Sequence, residues 1–598
     1  MSNQHVILGD PRDPREIARR LALMEGRIGR RSLVGGALAA AGLMVVGARA
    51  GSIAAAPARQ DAALPDDAAP LEEQVYVVPC DVTLDKTPDF YEAVYERTSD
   101  ACSDIFSDPL VRLNRDFEII PAAATEWSSD ESGTIWTFTI DPNLMWNDGT
   151  PVTANDWVST FRYGADPAHA WDFTWYFQGI MKGWDEAIAG EIPLEELGVR
   201  ADDDHTLVIE TVSAAPYLPA MLLYSCPLSA KALVEKGSLY NSNPATSVSS
   251  GPLMLETWEP DQRIVFVKNP DYKGTLQVPI QKVVLKLSDP KTWFTMYSND
   301  EVDFMQKPAP AEVQIAQAEF PEQIYSATGD FRTWYLFFDV TKAPFDDIKV
   351  RQAFSHVVDR DTIQAQILGP AGRPAYSWLA PGFPAANGEG LKEIQKFDPE
   401  LAKQLLAEAG YPNGEGFPPQ VLWLRNANAL DQNVANAIAA AITQQLGIQI
   451  EVSNKDQKTF TDALNAKPTE IPFGYVSYGM DFLDPYNMLS VWLSGGRHSW
   501  TNAEFDKLVD DAASFLGEPD ERTTMFQEAE KILVEDVPGV FVYHETPVQL
   551  VKPWVKGAVL EPDKNGITAI HWPFYTAMCT VPAELYIGKD APVGRGDM

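Results

Sequence analysis

Trp136-Thr-Phe-Thr-Ile-Asp-Pro-Asn-Leu-Met-Trp146-Asn-Asp-Gly149-Thr-Pro-Val-Thr153-Ala-Asn-Asp-Trp157 reads as strand, turn and helix in succession. Ile135 to Ile140 alternates apolar and polar residues, the pattern of a strand with one buried face. Asn147-Asp148-Gly149 is a turn signal. Thr153 stands at a helix N-cap, and the residues after it open an amphipathic helix.

The chain around this unit has 598 residues, 45% of them hydrophobic and 22% charged. That is an ordinary globular balance, long enough for several sub-domains. Net charge is −37. Residues 1–58 hold eight Arg and four acids, so they carry +4 and the remainder carries −41. A body this acidic repels nucleic-acid backbones and anionic lipid, so neither is expected as a partner. It mildly favours neutral or cationic ligands. The four cysteines, Cys80, Cys102, Cys226 and Cys579, form no CxxC and no His-paired metal spacing, so no metal or other cofactor is expected. Cys80 and Cys102 would close a loop of about twenty residues, worth ~3 kcal/mol if oxidised. The pairing among the four stays open.

The first 58 residues read as an export signal. A polar, Arg-rich stretch ends in Arg30-Arg31, an apolar run follows from Leu33 to Ala48, and Ala48-Arg49-Ala50 and Ala56-Pro57-Ala58 fit signal-peptidase sites. That order is secretory. The paired arginines resemble a twin-arginine signal, with Leu33-Val34 where Phe-Leu is usual. An uncleaved membrane tether is the alternative. No Cys follows the run closely, so a lipoprotein anchor has no acylation site. Residues 59–71 read as an Ala/Pro/Asp-rich linker. The expected location is extracytoplasmic.

Further motifs stand in a fixed order. Ser250-Gly-Pro-Leu-Met-Leu-Glu-Thr-Trp258 runs on to Lys268-Asn-Pro-Asp-Tyr272. Tyr335-Leu-Phe-Phe-Asp339 is followed by Pro344-Phe-Asp-Asp-Ile-Lys-Val-Arg-Gln-Ala353 and Asp359-Arg-Asp361. Phe397-Asp-Pro-Glu-Leu-Ala-Lys-Gln-Leu-Leu-Ala-Glu-Ala-Gly-Tyr411 and Leu550-Val-Lys-Pro-Trp554 complete the set. Together with residues 136–157 they resemble the signature regions of the extracytoplasmic solute-binding proteins of family 5, which serve peptide and nickel ABC importers. Local patterns agree with an α/β architecture. Lys349 to Ile367 has helical spacing, Asp398-Pro399 starts a helix that Gly410 stops, and Asn433 to Leu446 is a helix leading into a strand at 447–452.

The resemblance implies an α/β, two-lobed periplasmic-binding-protein fold of the large, three-subdomain type, with a hinge and an interlobe ligand cleft. Lobe 1 is expected at 72–332, with an extra sub-domain near 106–248, and lobe 2 at 333–545. Residues 546–598 are expected to return to lobe 1. The implied function is capture of an oligopeptide and its delivery to an ABC permease, by a protein expected to be a monomer.

The expected site centres on Tyr475-Val-Ser-Tyr478-Gly-Met-Asp481-Phe482-Leu-Asp484-Pro485. Asp484-Pro485 reads as a helix start, which leaves Asp481 without a local backbone role. In the family's peptide binders a W-x-x-D-(Y/F) motif sets an Asp against the peptide's ammonium. Here Tyr478 stands in place of the Trp, with Asp481 and Phe482 following. An Arg found three residues before the Trp in some members is Tyr475 here. Arg425 lies near where dipeptide binders carry a carboxylate-binding Arg, and Trp334 and His544 lie near the two expected hinge crossings. An oligosaccharide ligand on the same scaffold is the alternative, with Trp334, Trp423, Trp492 and Trp500 as stacking faces. Nickel or haem is disfavoured by the absence of a His cluster. No GxSxG, P-loop, GxGxxG or HExxH occurs, and no enzyme is expected.

Overall fold

The computed structural model describes residues 64–81, 106–169, 171, 173–326, 329–562 and 583–595. The expected signal, the first part of the linker, Cys102 and Cys579 lie outside the described residues.

Val75–Asp81, Lys282–Ser288, Arg263–Lys268 and Leu253–Glu259 form a four-stranded sheet in that order, the first pair parallel and the others antiparallel. Alternation sends Val75, Val77 and Val284 into one apolar cluster and Tyr76, Val283 and Leu285 into another. Both faces are covered, as a sheet with β-branched residues at successive positions requires. The C-terminal part of the chain returns here. Val548–Val551 pairs between Phe304–Gln306 and Ile324–Ser326. Farther on, Arg595 forms a fully buried ion pair with Asp303, whose other carboxylate oxygen accepts the Trp554 indole N–H at 2.6 Å.

The strand–turn–helix unit builds a second sheet. Ile135–Ile140 lies between Ala124–Ser129 and Thr206–Glu210, with Val199–Asp203 at the edge. Its alternation holds, with Trp136, Phe138 and Ile140 buried. Gly149 takes φ +83°, which a side chain would strain. Helix Ala154–Ala165 starts at Thr153, whose backbone N–H donates to the Asp156 carboxylate at 2.8 Å.

The third sheet has six strands, in the order Gly372–Pro374, Gly539–Glu545, Thr333–Phe338, Phe473–Tyr478, Gln420–Arg425, Ile450–Lys455. The last three run parallel to one another, and Gly539–Glu545 points the same way because Thr333–Phe338 opposes both of its neighbours. Arg425, Lys455, Tyr478 and Glu545 therefore end at one edge, where Thr333 begins. At that edge the chain enters the sheet after Arg332 and leaves it after Glu545. One face packs on helices Ile348–His356, Pro399–Glu408 and Ala429–Leu446. The other joins a large aromatic core that continues into the second sheet's sub-domain.

The helix expected over 349–367 is broken. It ends at His356, and a new turn starts at Arg360 because the Asp359 side chain accepts the Thr362 N–H and caps it. Helix Pro399–Glu408 is capped by Asp398, as its Asp-Pro start indicated. The helix expected from Asn433 begins earlier, at Ala429, capped by Asn428.

Candidate functional site

Asp481 sits on the loop that leaves strand Phe473–Tyr478 at the crossing edge. Gly479 passes so close to Asp330 that a Cβ there would meet its carboxylate oxygen at 2.0 Å. The Met480 N–H donates to the Asp330 carbonyl at 2.8 Å, and Arg332 bonds both the Asp330 carboxylate and the Ser477 hydroxyl. The loop is thus stitched to the first crossing. On its far side Asp484 caps helix Pro485–Leu489 and takes a bidentate pair from Arg522 at 2.8 and 2.9 Å.

The Asp481 carboxylate is held through one oxygen. Oδ2 accepts the Tyr478 hydroxyl at 2.5 Å and the Asn487 amide at 3.1 Å, while Asn487 Oδ1 accepts the Asp481 backbone N–H at 2.8 Å. Among the described residues no Lys or Arg forms an ion pair with it. Burial raises its pKa above the usual carboxylate value, against the pull of Tyr478, Asn487, Arg497 and Arg332. It is an oriented, half-buried carboxyl group with no salt-bridge partner among the described residues.

Tyr478 stacks on fully buried Trp378 at 6.1 Å and carries the Arg497 guanidinium 4.9 Å over its ring. Trp378 is fixed in turn by its indole N–H to the Met488 carbonyl at 2.7 Å. Arg425 ends its strand on the same face, since Leu422 and Leu424 point to the opposite one. Burial, with the charges of Arg497 and Arg332, holds its pKa below the usual arginine value. Tyr335, raised by burial, feels both Arg497 and Arg425, and its hydroxyl meets His498 Nε2 at 3.0 Å.

A second polar group lies at the crossing itself. Glu545 receives Lys307 at 2.9 Å and the Trp334 indole N–H at 2.9 Å. Burial alone would raise its pKa, but Lys307 and Arg332 outweigh that and lower it. Trp334 is half-buried, tilted on Tyr475 at 5.2 Å and stacked on Tyr543 at 5.9 Å.

Three expected site residues are placed in packing instead. Tyr475 is 1% exposed on the helix-covered face, away from Tyr478. An odd separation along a strand reverses the face. His544 is 5% exposed, bonded through Nδ1 to the Thr333 hydroxyl at 2.9 Å, and burial lowers its pKa to about 3. Phe482 is buried against Tyr217 at 5.6 Å and Tyr176 at 6.1 Å, joining the loop to the second sheet's sub-domain. Trp492 and Trp500 are core residues, and Trp423 lies under the Lys455 ammonium at 4.5 Å. Sequence reasoning missed Asn487, Arg497, Asp330 and Glu545. Only Asn487 had a local signal, an amide in the first turn of the helix that Asp484 opens.

A mixed α/β chain with a carboxylate that has no ion-pair partner among the described residues, at the edge where the chain enters and leaves its largest sheet, suits a two-lobed binding protein. Residues 118–500 match the model of the bacterial extracellular solute-binding proteins, family 5 (middle region), and the chain belongs to that family. It is 31% identical to the periplasmic oligopeptide-binding protein OppA of Salmonella typhimurium, over 73% of this chain and 81% of that protein. It is 30% identical to the periplasmic murein peptide-binding protein MppA of Escherichia coli, over 76% and 84%. Among solved structures it resembles the murein tripeptide-binding protein MppA in its unliganded open form, with a TM-score of 0.71, 25% identity, and coverage of 88% of this chain and 99% of that one.

Proposed function

We propose that the protein captures a short peptide between its lobes and delivers it to an ABC import permease. The observation that carries this is the Asp481 carboxylate, aligned by Tyr478 and Asn487 and with no ion-pair partner among the described residues. In this reading the peptide ammonium completes it. Arg425, without a carboxylate partner on the same face of the sheet, would take the peptide's terminal carboxylate, and main-chain hydrogen bonds between the poles would leave side chains loosely specified. The lobes in this reading are 72–332 with 546–598, and 333–545. The named peptide binding of the relatives supports a peptide over an oligosaccharide. Consistently, Trp492 and Trp500 have no free face to stack a sugar.

We read the protein as a binder and not a catalyst, acting outside the cytoplasm as a monomer. Its first 58 residues would be a twin-arginine export signal, or a tether if uncleaved. Among the described residues no helix is long and apolar enough to cross a membrane. The test is mass spectrometry of ligand released from the purified chain, followed by calorimetric titration of the peptides found. Recovery of peptides that rebind supports the proposal. Recovery of glycans alone, with no response to a peptide pool, overturns it.

A further inference from the structure

The end of the sheet that carries Asp481 has more positive charge than one peptide terminus needs. Arg425 and Lys455 are register partners on adjacent parallel strands and share a face. Lys455 reaches back over the Trp423 ring at 4.5 Å, which shows the face directly. Arg497 comes from a separate loop, lies over Tyr478, and senses the Tyr335 hydroxyl together with Arg425. All three are half-buried. Among the described residues none has a carboxylate within ion-pair distance. The neighbouring Arg332 is different, being answered by Asp330 and Glu545. Asp456, next to Lys455, is exposed and occupied in capping the helix Gln457–Asn465.

Like charges gathered at a half-buried surface repel, and the repulsion is relieved only by an anion. Asp481 supplies one negative charge and, on the peptide reading, it is matched by the ammonium. A zwitterionic peptide then brings one carboxylate, while Arg425 and Arg497, which act on each other and on Tyr335, are two cations. The body as a whole is strongly acidic, but charges close to a site outweigh screened distant ones.

We propose that Arg497 is a specificity-determining residue which, beside Arg425, makes the cleft select short peptides bearing an acidic side chain next to their terminal carboxylate. This rests on the peptide reading. The planar guanidinium suits a carboxylate in two-bond geometry, and its placement over Tyr478 ties the anionic end of the ligand to the residue that orients Asp481.

Calorimetric titration of the full chain with Ala-Glu against Ala-Gln, and with Ala-Ala-Glu against Ala-Ala-Gln, tests it, since each pair differs in charge and hardly in shape. The expected result is a preference of about tenfold or more for the glutamate member, as one added charge-assisted contact should produce. In Arg497→Gln both affinities fall, the glutamate peptide's further, and the ratio collapses to about twofold or less. Arg497→Lys keeps part of it. Equal affinities in the unaltered protein overturn the inference and leave the peptide reading standing. A preference that survives in Arg497→Gln overturns the role of Arg497. Binding of none of the four peptides removes the peptide reading and this inference together. The ratio in the unaltered protein needs no variant, so a variant that fails to fold does not remove the test.

Discussion

Asp481→Asn separates binding from folding because the two effects have opposite signs. In the proposed complex the ligand ammonium approaches a carboxylate whose Oδ2 already accepts bonds of 2.5 and 3.1 Å. A hydrogen bond to a charged group contributes ~1.5–3 kcal/mol net. At about 1.4 kcal/mol per factor of ten, losing it weakens binding roughly 10- to 150-fold. The unligated protein gains instead. Burial raises the Asp481 pKa, so the folded state holds the proton more tightly than the unfolded chain. Its contribution to stability therefore turns unfavourable as pH climbs from the unfolded value of 3.8 through the raised folded value. Asn cannot ionise and keeps an oxygen for the Tyr478 hydroxyl. The expected outcome at pH 7 is a large loss of calorimetric affinity with an unchanged or higher melting temperature. In the unaltered protein affinity declines as pH falls through the folded pKa of Asp481. An unchanged affinity, or a loss of affinity matched by a loss of melting temperature, would refute the reasoning.

Tyr478→Phe removes the shorter of the two bonds that orient Asp481, and a weakening of about fivefold is expected in the same titration, since one intramolecular hydrogen bond is worth ~1 kcal/mol. Arg522→Ala strands Asp484, whose carboxylate is only 10% exposed, and should cost ~3–5 kcal/mol in urea unfolding; a cost under ~1 kcal/mol would show the pair to be dispensable. Burial raises Glu530 to about 8, against the backbone N–H groups that pull it down, among them that of Leu379, which donates to Oε1 at 2.7 Å. Between its unfolded value of 4.5 and its folded value the unfolded chain has lost a proton that the folded one keeps, so its contribution falls by up to about 1.4 kcal/mol per pH unit. Denaturation midpoints should therefore decline from pH 5 to 8 more steeply in the unaltered protein than in Glu530→Gln, and parallel curves would remove this role.

Local signals in the sequence resolved into local structure. Asp398-Pro399 and Asp484-Pro485 start helices because the cap and the fixed proline φ act within one turn. The alternation of Ile135–Ile140 survives because one face of its sheet is core. Asp481 and Tyr478 are brought together by a turn with two residues between them. Arg497 was invisible because its partner ring lies nineteen positions earlier and no periodicity links the two. Tyr475 was misplaced although the means to place it were present, since two strand residues three apart cannot share a face. The break at His356 was also legible, because Asp359 is a cap inside an otherwise helical pattern.

Residues 481 and 482 are chain neighbours with separate attachments: one would meet the proposed guest, and the next is wedged between Tyr217 and Tyr176 of the second sheet's sub-domain. No residue lies between them, so in the proposed complex a shift at 481 is passed directly to 482.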